Sequence, residues 1–228
     1  GPGGRGLGGG AHLFWFKGGG QLGWRYRLQK GDPRKAFERE RLAYREMNAV
    51  QAPVPRLVAE GPDFLVLPDC GLDLRKLLER QEDASRRIQM LVDASKMLAE
   101  FHNLGFAHGR PSPKDICQVD GRMLLLDFER YKHANNTPVG QARDLVVFAF
   151  NVAAHSPQMR GSLREAMVAY RDNADAAIWP LAQRWCRWLR WTAWVTKPLQ
   201  KRPEGRALEF KAIPVVMDLF LSEDKTLV

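Results

Sequence analysis

The alternation of apolar and polar residues changes period along the chain. His12-Leu13-Phe14-Trp15-Phe16 reads as a strand, and Gly18-Gly19-Gly20 turns the chain. Leu22, Trp24, Tyr26 and Leu28 then alternate with Gly23, Arg25 and Arg27, the period of a half-buried strand completing an antiparallel hairpin. From Lys35 to Val50 the period becomes helical, with Asp32 as N-cap, Pro33 at the first position and Ala36, Glu40, Ala43 and Met47 on one face. Ala52-Pro53-Val54-Pro55 ends that helix, and Arg56 to Ala59 and Phe64 to Leu67 predict two more strands. After the break at Pro68-Asp69-Cys70-Gly71 the pattern is mostly helical, over 72–80, 84–104, 140–154, 160–175, 178–196 and 206–222. The exception is a short β pair around Cys117 to Leu126. The pattern predicts an α+β chain with a small β-rich N-lobe carrying one helix, residues 1–68, and a larger, mostly helical C-lobe, residues 69–228.

Composition narrows the class. Of 228 residues, 45% are hydrophobic and 27% charged, the balance of a globular protein that is not membrane-spanning. No stretch reaches the roughly 18 apolar residues of a membrane span. The glycine-rich start lacks the apolar core of a signal peptide. Gly1-Pro2 is either a scar of a removed expression tag or a native start. Cys70, Cys117 and Cys186 have neither disulfide-framework nor metal-ligand spacing, so ordinary thiols in a reducing cytoplasm are expected. A net charge of +9 suits a phosphate-rich ligand, an acidic partner or an anionic membrane face. No nucleic-acid-binding signature accompanies it, so no nucleic-acid partner is expected.

The densest chemistry lies in Phe106-Ala107-His108-Gly109-Arg110-Pro111-Ser112-Pro113-Lys114-Asp115-Ile116, followed by Met123-Leu124-Leu125-Leu126-Asp127-Phe128-Glu129. A polar loop, an apolar strand and an acidic residue can bring Asp115 and Asp127 together on a divalent metal. Magnesium takes hard oxygen ligands and commonly only one or two protein carboxylates, with phosphate oxygens completing its shell. The alternative is a surface turn followed by a core strand.

These residues, with Phe37-Glu38-Arg39-Glu40, Val54-Pro55-Arg56, Phe64-Leu65-Val66-Leu67 and Ala142-Arg143-Asp144-Leu145, resemble the Kdo/heptose lipopolysaccharide kinase family. Within that branch of the protein-kinase-like fold, the chain is similar to small bacterial proteins with an HGRP motif. The resemblance implies a two-lobed kinase-like fold using ATP and Mg²⁺, with Asp127 and Asp115 holding the metal and His108 organising the loop. It also implies that Glu40 pairs with a phosphate-binding cation and that Asp144 braces the loop from behind. Arg25 is the choice for that cation, with Arg27, Lys17 and Lys30 as alternatives, since an arginine fork can bind phosphate bidentately. Gly4-x-Gly6-x-x-Gly9 is the favoured phosphate-covering loop, since glycine lets backbone amides approach closely, and Gly18-x-Gly20-x-x-Gly23 is the alternative.

Arg110 departs from the family's pattern: it stands where kinases place an aspartate, and arginine cannot act as a base. Three readings stay open. The chain is inactive and binds nucleotide or a partner; it transfers phosphate by positioning and charge neutralisation; or Arg110 receives an anionic acceptor. Only fourteen residues separate Glu129 from Asp144, too few for a peptide-docking segment, so a sugar or glycolipid acceptor is expected rather than a protein. The expected activity is phosphorylation of a sugar hydroxyl, most plausibly on a lipopolysaccharide core precursor, with a pseudokinase as the alternative.

Trp185, Trp188, Trp191 and Trp194 recur every three residues, with Arg184, Arg187 and Arg190 one step ahead. This stripe either packs into the core or rests on a membrane interface. The second reading gives a cytoplasmic protein in peripheral contact with the inner leaflet of the inner membrane.

Overall fold

A computed structural model describes residues 14–18, 33–62, 64–201 and 208–222. Strand β1 (Phe14–Gly18) and β2 (Ala59–Glu60) flank β3 (Phe64–Pro68) in an antiparallel sheet, with Lys17 opposite Leu65 and Ala59 opposite Val66. The strand expected over 56–59 is only Ala59–Glu60, because Val54 and Pro55 turn the chain and Val58 meets β3 through one backbone bond to Val66.

Helix α1 (Pro33–Ala49) buries Ala36, Phe37, Glu40, Ala43, Tyr44 and Met47 along one stripe, as the period of the sequence predicts. Asn48 fixes its end. Its amide donates to the carbonyls of Tyr44 and Pro55, and its side-chain oxygen accepts from the Leu57 N–H. Arg41 and Arg45 reach Glu60 at 3.4 and 2.7 Å and tie α1 to β2.

The helical part begins with α2 (Leu74–Arg80) and α3 (Ala84–Asn103), capped by Asp73 and Asp83, whose carboxylates accept first-turn amides. Strands β4 (Ile116–Val119) and β5 (Arg122–Leu125) form the expected hairpin. Helix α4 (Pro138–His155) is buried on nearly every side, which makes it the axis of the core; Thr137 caps it and Pro138 opens it. Around it lie α5 (Leu163–Asn173), α6 (Ile178–Val195), the single turn α7 (Lys197–Gln200) and α8 (Leu208–Leu221). One apolar core runs from Phe37 and Tyr44 on α1 to Phe220 on α8, so the sheet side and the helical side share it through α1.

Candidate functional site

The loop from Ala107 to Asp115 is fastened to the buried face of α4. Asp144, 1% exposed, accepts the backbone N–H of His108 on Oδ2 and that of Gly109 on Oδ1 at 2.9 Å. Behind it, His102 Nε2 lies 3.5 Å from Asp144 Oδ2, and His102 Nδ1 meets the Tyr170 hydroxyl at 2.5 Å. Asn151, two turns along α4, donates to the Pro111 carbonyl at 2.9 Å. A buried carboxylate accepting two backbone amides holds a loop more firmly than a neutral acceptor, because charge-assisted bonds are roughly twice as strong.

Gly109 is required by this geometry. Its φ is +97°, and a Cβ there would meet the Arg130 carbonyl oxygen at 2.9 Å. Within the loop the Asp115 N–H donates to Ser112 O, and two contacts close the loop on Leu126, just past β5: Leu126 N–H to Asp115 O at 2.7 Å and His108 Nε2 to Leu126 O at 2.8 Å.

Those bonds bring the segment after β5 alongside the loop. Asp127 has φ +63°, an unusual conformation for a residue with a side chain. Such conformations persist where surrounding structure over-determines them, and they cluster at functional sites. Here the neighbours are identifiable. Phe128 is fully buried, 5.1 Å from the His108 ring, 5.1 Å edge-on from Tyr44 and 5.9 Å stacked on Phe101. The Asp127 N–H meets the buried Tyr44 hydroxyl oxygen, so α1 grips Asp127 directly. Asp127 is thus turned to solvent while the next residue is anchored in the core.

Asp115 and Asp127 interact electrostatically. Burial pushes the Asp115 carboxyl up to about 6; the charge of Asp127 adds to the rise, while His108, Lys114 and Arg110 oppose it. Two carboxylates close enough to interact, one of them hard to ionise alone, are a donor set that a divalent cation would satisfy. Among the described residues no cluster of three or more potential metal ligands occurs, so such an ion would take its remaining oxygens from a ligand or water.

Glu40 lies on the inward face of α1, one turn before Tyr44 and 3% exposed, and its charge acts on the Tyr44 phenol. Gly4, Gly6, Gly9 and Arg25 lie outside the described residues, as do Arg27 and Lys30; Lys17 is on β1.

Arg110 and Lys114 are exposed on the same loop. The His155 imidazole, at the end of α4, is held below its ordinary value by burial and then by the Lys114 ammonium. Arg75 and Arg110 add to this and Glu209 opposes it. Two cations of the loop therefore stand in solvent close to the Asp115 carboxyl.

The sequence pattern did not single out Tyr44, Phe101 or Asn151. Tyr44 could have been found from its spacing, four residues after Glu40 on the same helix face. Cys70 and Cys117, remote in sequence, come together: the Cys117 thiol hydrogen-bonds Cys70 and holds its pKa below the ordinary value, and Cys70 also contacts the Pro68 carbonyl at 3.5 Å. Both are free thiols.

The four tryptophans part company. Trp185 packs against the core, whereas Trp188, Trp191 and Trp194 are 68%, 58% and 78% exposed. Core packing, one of the two readings of the stripe, fails for those three.

No family model matches the sequence. A protein of Haemophilus influenzae described as uncharacterized is 25% identical over 167 residues, covering 73% of this chain and 69% of that one. Two crystal structures of the kinase domain of Mycobacterium tuberculosis PknI are similar at 16% identity and a TM-score of 0.38. They cover 64% and 66% of this chain and 73% and 82% of theirs. A similarity at that score carries no conclusion about activity.

Proposed function

We propose that the chain is a phosphotransferase that moves the terminal phosphoryl group of ATP to a hydroxyl of an anionic sugar, such as one on a lipopolysaccharide core precursor. The observation that carries this reading is Asp127, held at positive φ between the Phe128 anchor and the Tyr44 hydroxyl, with its charge acting on the half-buried Asp115. The Phe128 anchor fixes the conformation, and the result, a solvent-facing aspartate fixed near a second carboxylate, is what a metal–phosphate site requires.

Asp115 and Asp127 would hold Mg²⁺, which would neutralise phosphate charge when bound. Asp144 keeps the loop from shifting as the ligand enters. The acceptor oxygen forms the new P–O bond as the bond between the β and γ phosphates breaks. Arg110 takes no proton, so the hydroxyl proton leaves with the transferred phosphoryl oxygens. That is compatible with phosphoryl transfer, which depends chiefly on positioning and charge neutralisation. Arg110 and Lys114 are exposed on this loop, and their positive charge suits a sugar carrying a carboxylate or phosphate.

The second reading, a nucleotide-binding pseudokinase, is favoured by Arg110 itself. Turnover separates the two. Purified protein is incubated with Mg-ATP and a panel of Kdo- and heptose-containing acceptors, and phosphorylated product is sought by mass spectrometry. Product that disappears in Asp127→Asn supports the enzyme, whereas Mg-ATP binding without product on any acceptor supports the pseudokinase. Arg110→Gln is expected to leave Mg-ATP binding in place and to raise KM for the anionic acceptor.

A further inference from the structure

The outer face of α6 plays no part in the site above. Along this helix Ile178, Ala182 and Cys186 are buried, and Leu181, Trp185 and Leu189 are half-buried. At about 100° per residue, Trp188, Trp191 and Trp194 run from the exposed flank of the helix round to the opposite side, with Arg184, Arg187 and Arg190 interleaved among them. Val195, 52% exposed, extends the apolar surface. The chain then turns through α7, where Lys197 and Lys201 are exposed beside Pro198. From Ile178 to Lys201 there are five cations, Arg184, Arg187, Arg190, Lys197 and Lys201, and no Asp or Glu.

Three large aromatic side chains left in water on one helix face are a marked departure for a globular surface. The mixture of chemistries narrows what covers them. A second copy of the chain would set this cationic face against itself, which repulsion disfavours. Single-stranded nucleic acid is bound along a charged groove with stacking platforms, whereas these tryptophans project from the outer side of a helix. A lipid interface takes both elements at once: indole rings sit at the headgroup boundary, and arginine stems lie along apolar surface while their heads reach phosphates.

We propose that this face docks the protein on the anionic surface of a lipid bilayer, with Trp188, Trp191 and Trp194 in the headgroup boundary and the interleaved arginines against lipid phosphates. The attachment is peripheral, since no helix among the described residues is long and apolar enough to cross a membrane. It stands independently of the phosphotransferase reading, because no residue of the loop or of the Asp115 and Asp127 pair belongs to it.

The test is sedimentation of the full chain with vesicles of equimolar phosphatidylglycerol and phosphatidylcholine, against vesicles of phosphatidylcholine alone, with tryptophan emission recorded in parallel. The expected result is binding to the anionic vesicles, a blue shift of emission and release as salt is raised. Trp188→Ala/Trp191→Ala/Trp194→Ala loses the binding while its circular dichroism and melting temperature match wild type, the side chains being exposed. Arg184→Gln/Arg187→Gln/Arg190→Gln weakens the partition on the order of a hundredfold, at about fivefold for each cation near an anionic surface. Absence of anionic-vesicle binding overturns the proposal, as does vesicle binding that survives both triple variants. Binding that the same variants abolish for a single-stranded oligonucleotide, but that never occurs on vesicles, overturns it in favour of nucleic acid.

Discussion

At the scale of single residues, the chain departs from ordinary side-chain behaviour at three neighbouring positions. Asp115 keeps its proton to about pH 6 because it is buried beside Asp127. The sign of its effect on stability follows. Below the ordinary aspartate value both folded and unfolded chains hold the proton. From there to about pH 6 the unfolded chain releases it while the folded chain keeps it, so stability falls as pH rises through that window and levels off above it. Asp115→Asn removes the penalty. The ligand-free variant is therefore expected to be more stable than wild type above pH 6, by about 1–3 kcal/mol, and indistinguishable from it near pH 4, as read by urea unfolding across pH. Gly109 is the second position. Its positive φ and the nearby Arg130 carbonyl make Gly109→Ala cost about 1–3 kcal/mol in the same assay. The third, Asp127, contributes conformation as well as charge, so a neutral isostere tests its charge alone.

Among elements, α4 and α1 do the positioning. Helix α4 supplies the carboxylate that holds two loop amides, and α1 supplies the hydroxyl that meets Asp127. Asp144→Asn leaves one of those amides facing an N–H rather than an oxygen. A loss of about 3 kcal/mol is expected by denaturant unfolding, with Asp127 and Asp115 still present but the loop from Ala107 to Asp115 released at His108 and Gly109. This layer was partly legible in the sequence. The helical period placed α1 to within two residues at its start, and the Leu-rich strand ahead of Asp127 placed the β hairpin. The loop motif marked His108, Arg110, Asp115 and Asp127 because their spacing is local. What stayed hidden depends on distant contacts. Phe101 on α3, Tyr44 on α1 and His108 on the loop meet around Phe128, and periodicity gives each only a face, not a partner. The Trp stripe was ambiguous for a related reason. Three-residue spacing drifts around a helix, so Trp185 reaches the core while its three successors do not.

Over the whole molecule, charge and packing divide the surface into two working regions. One is the loop side, where Arg110 and Lys114 lie near two carboxylates. The other is the outer face of α6, where cations and tryptophans alternate in a segment, 178–201, whose sequence has no Asp or Glu. Five of the 35 Lys and Arg residues lie in 178–201, a segment without Asp or Glu, which suits an anionic surface. The proposed metal-dependent nucleotide site of Asp115 and Asp127 belongs to the first region. The most direct measurement is a thermal-shift titration with ATP, with and without Mg²⁺, on wild type and Asp127→Asn. A ligand bound only by the folded chain adds about 2.7 kcal/mol at a hundredfold excess over Kd. A magnesium-dependent rise in melting temperature for wild type, absent in Asp127→Asn, is the predicted result. An equal rise in both proteins, or none in wild type with magnesium and ATP together, contradicts the assignment.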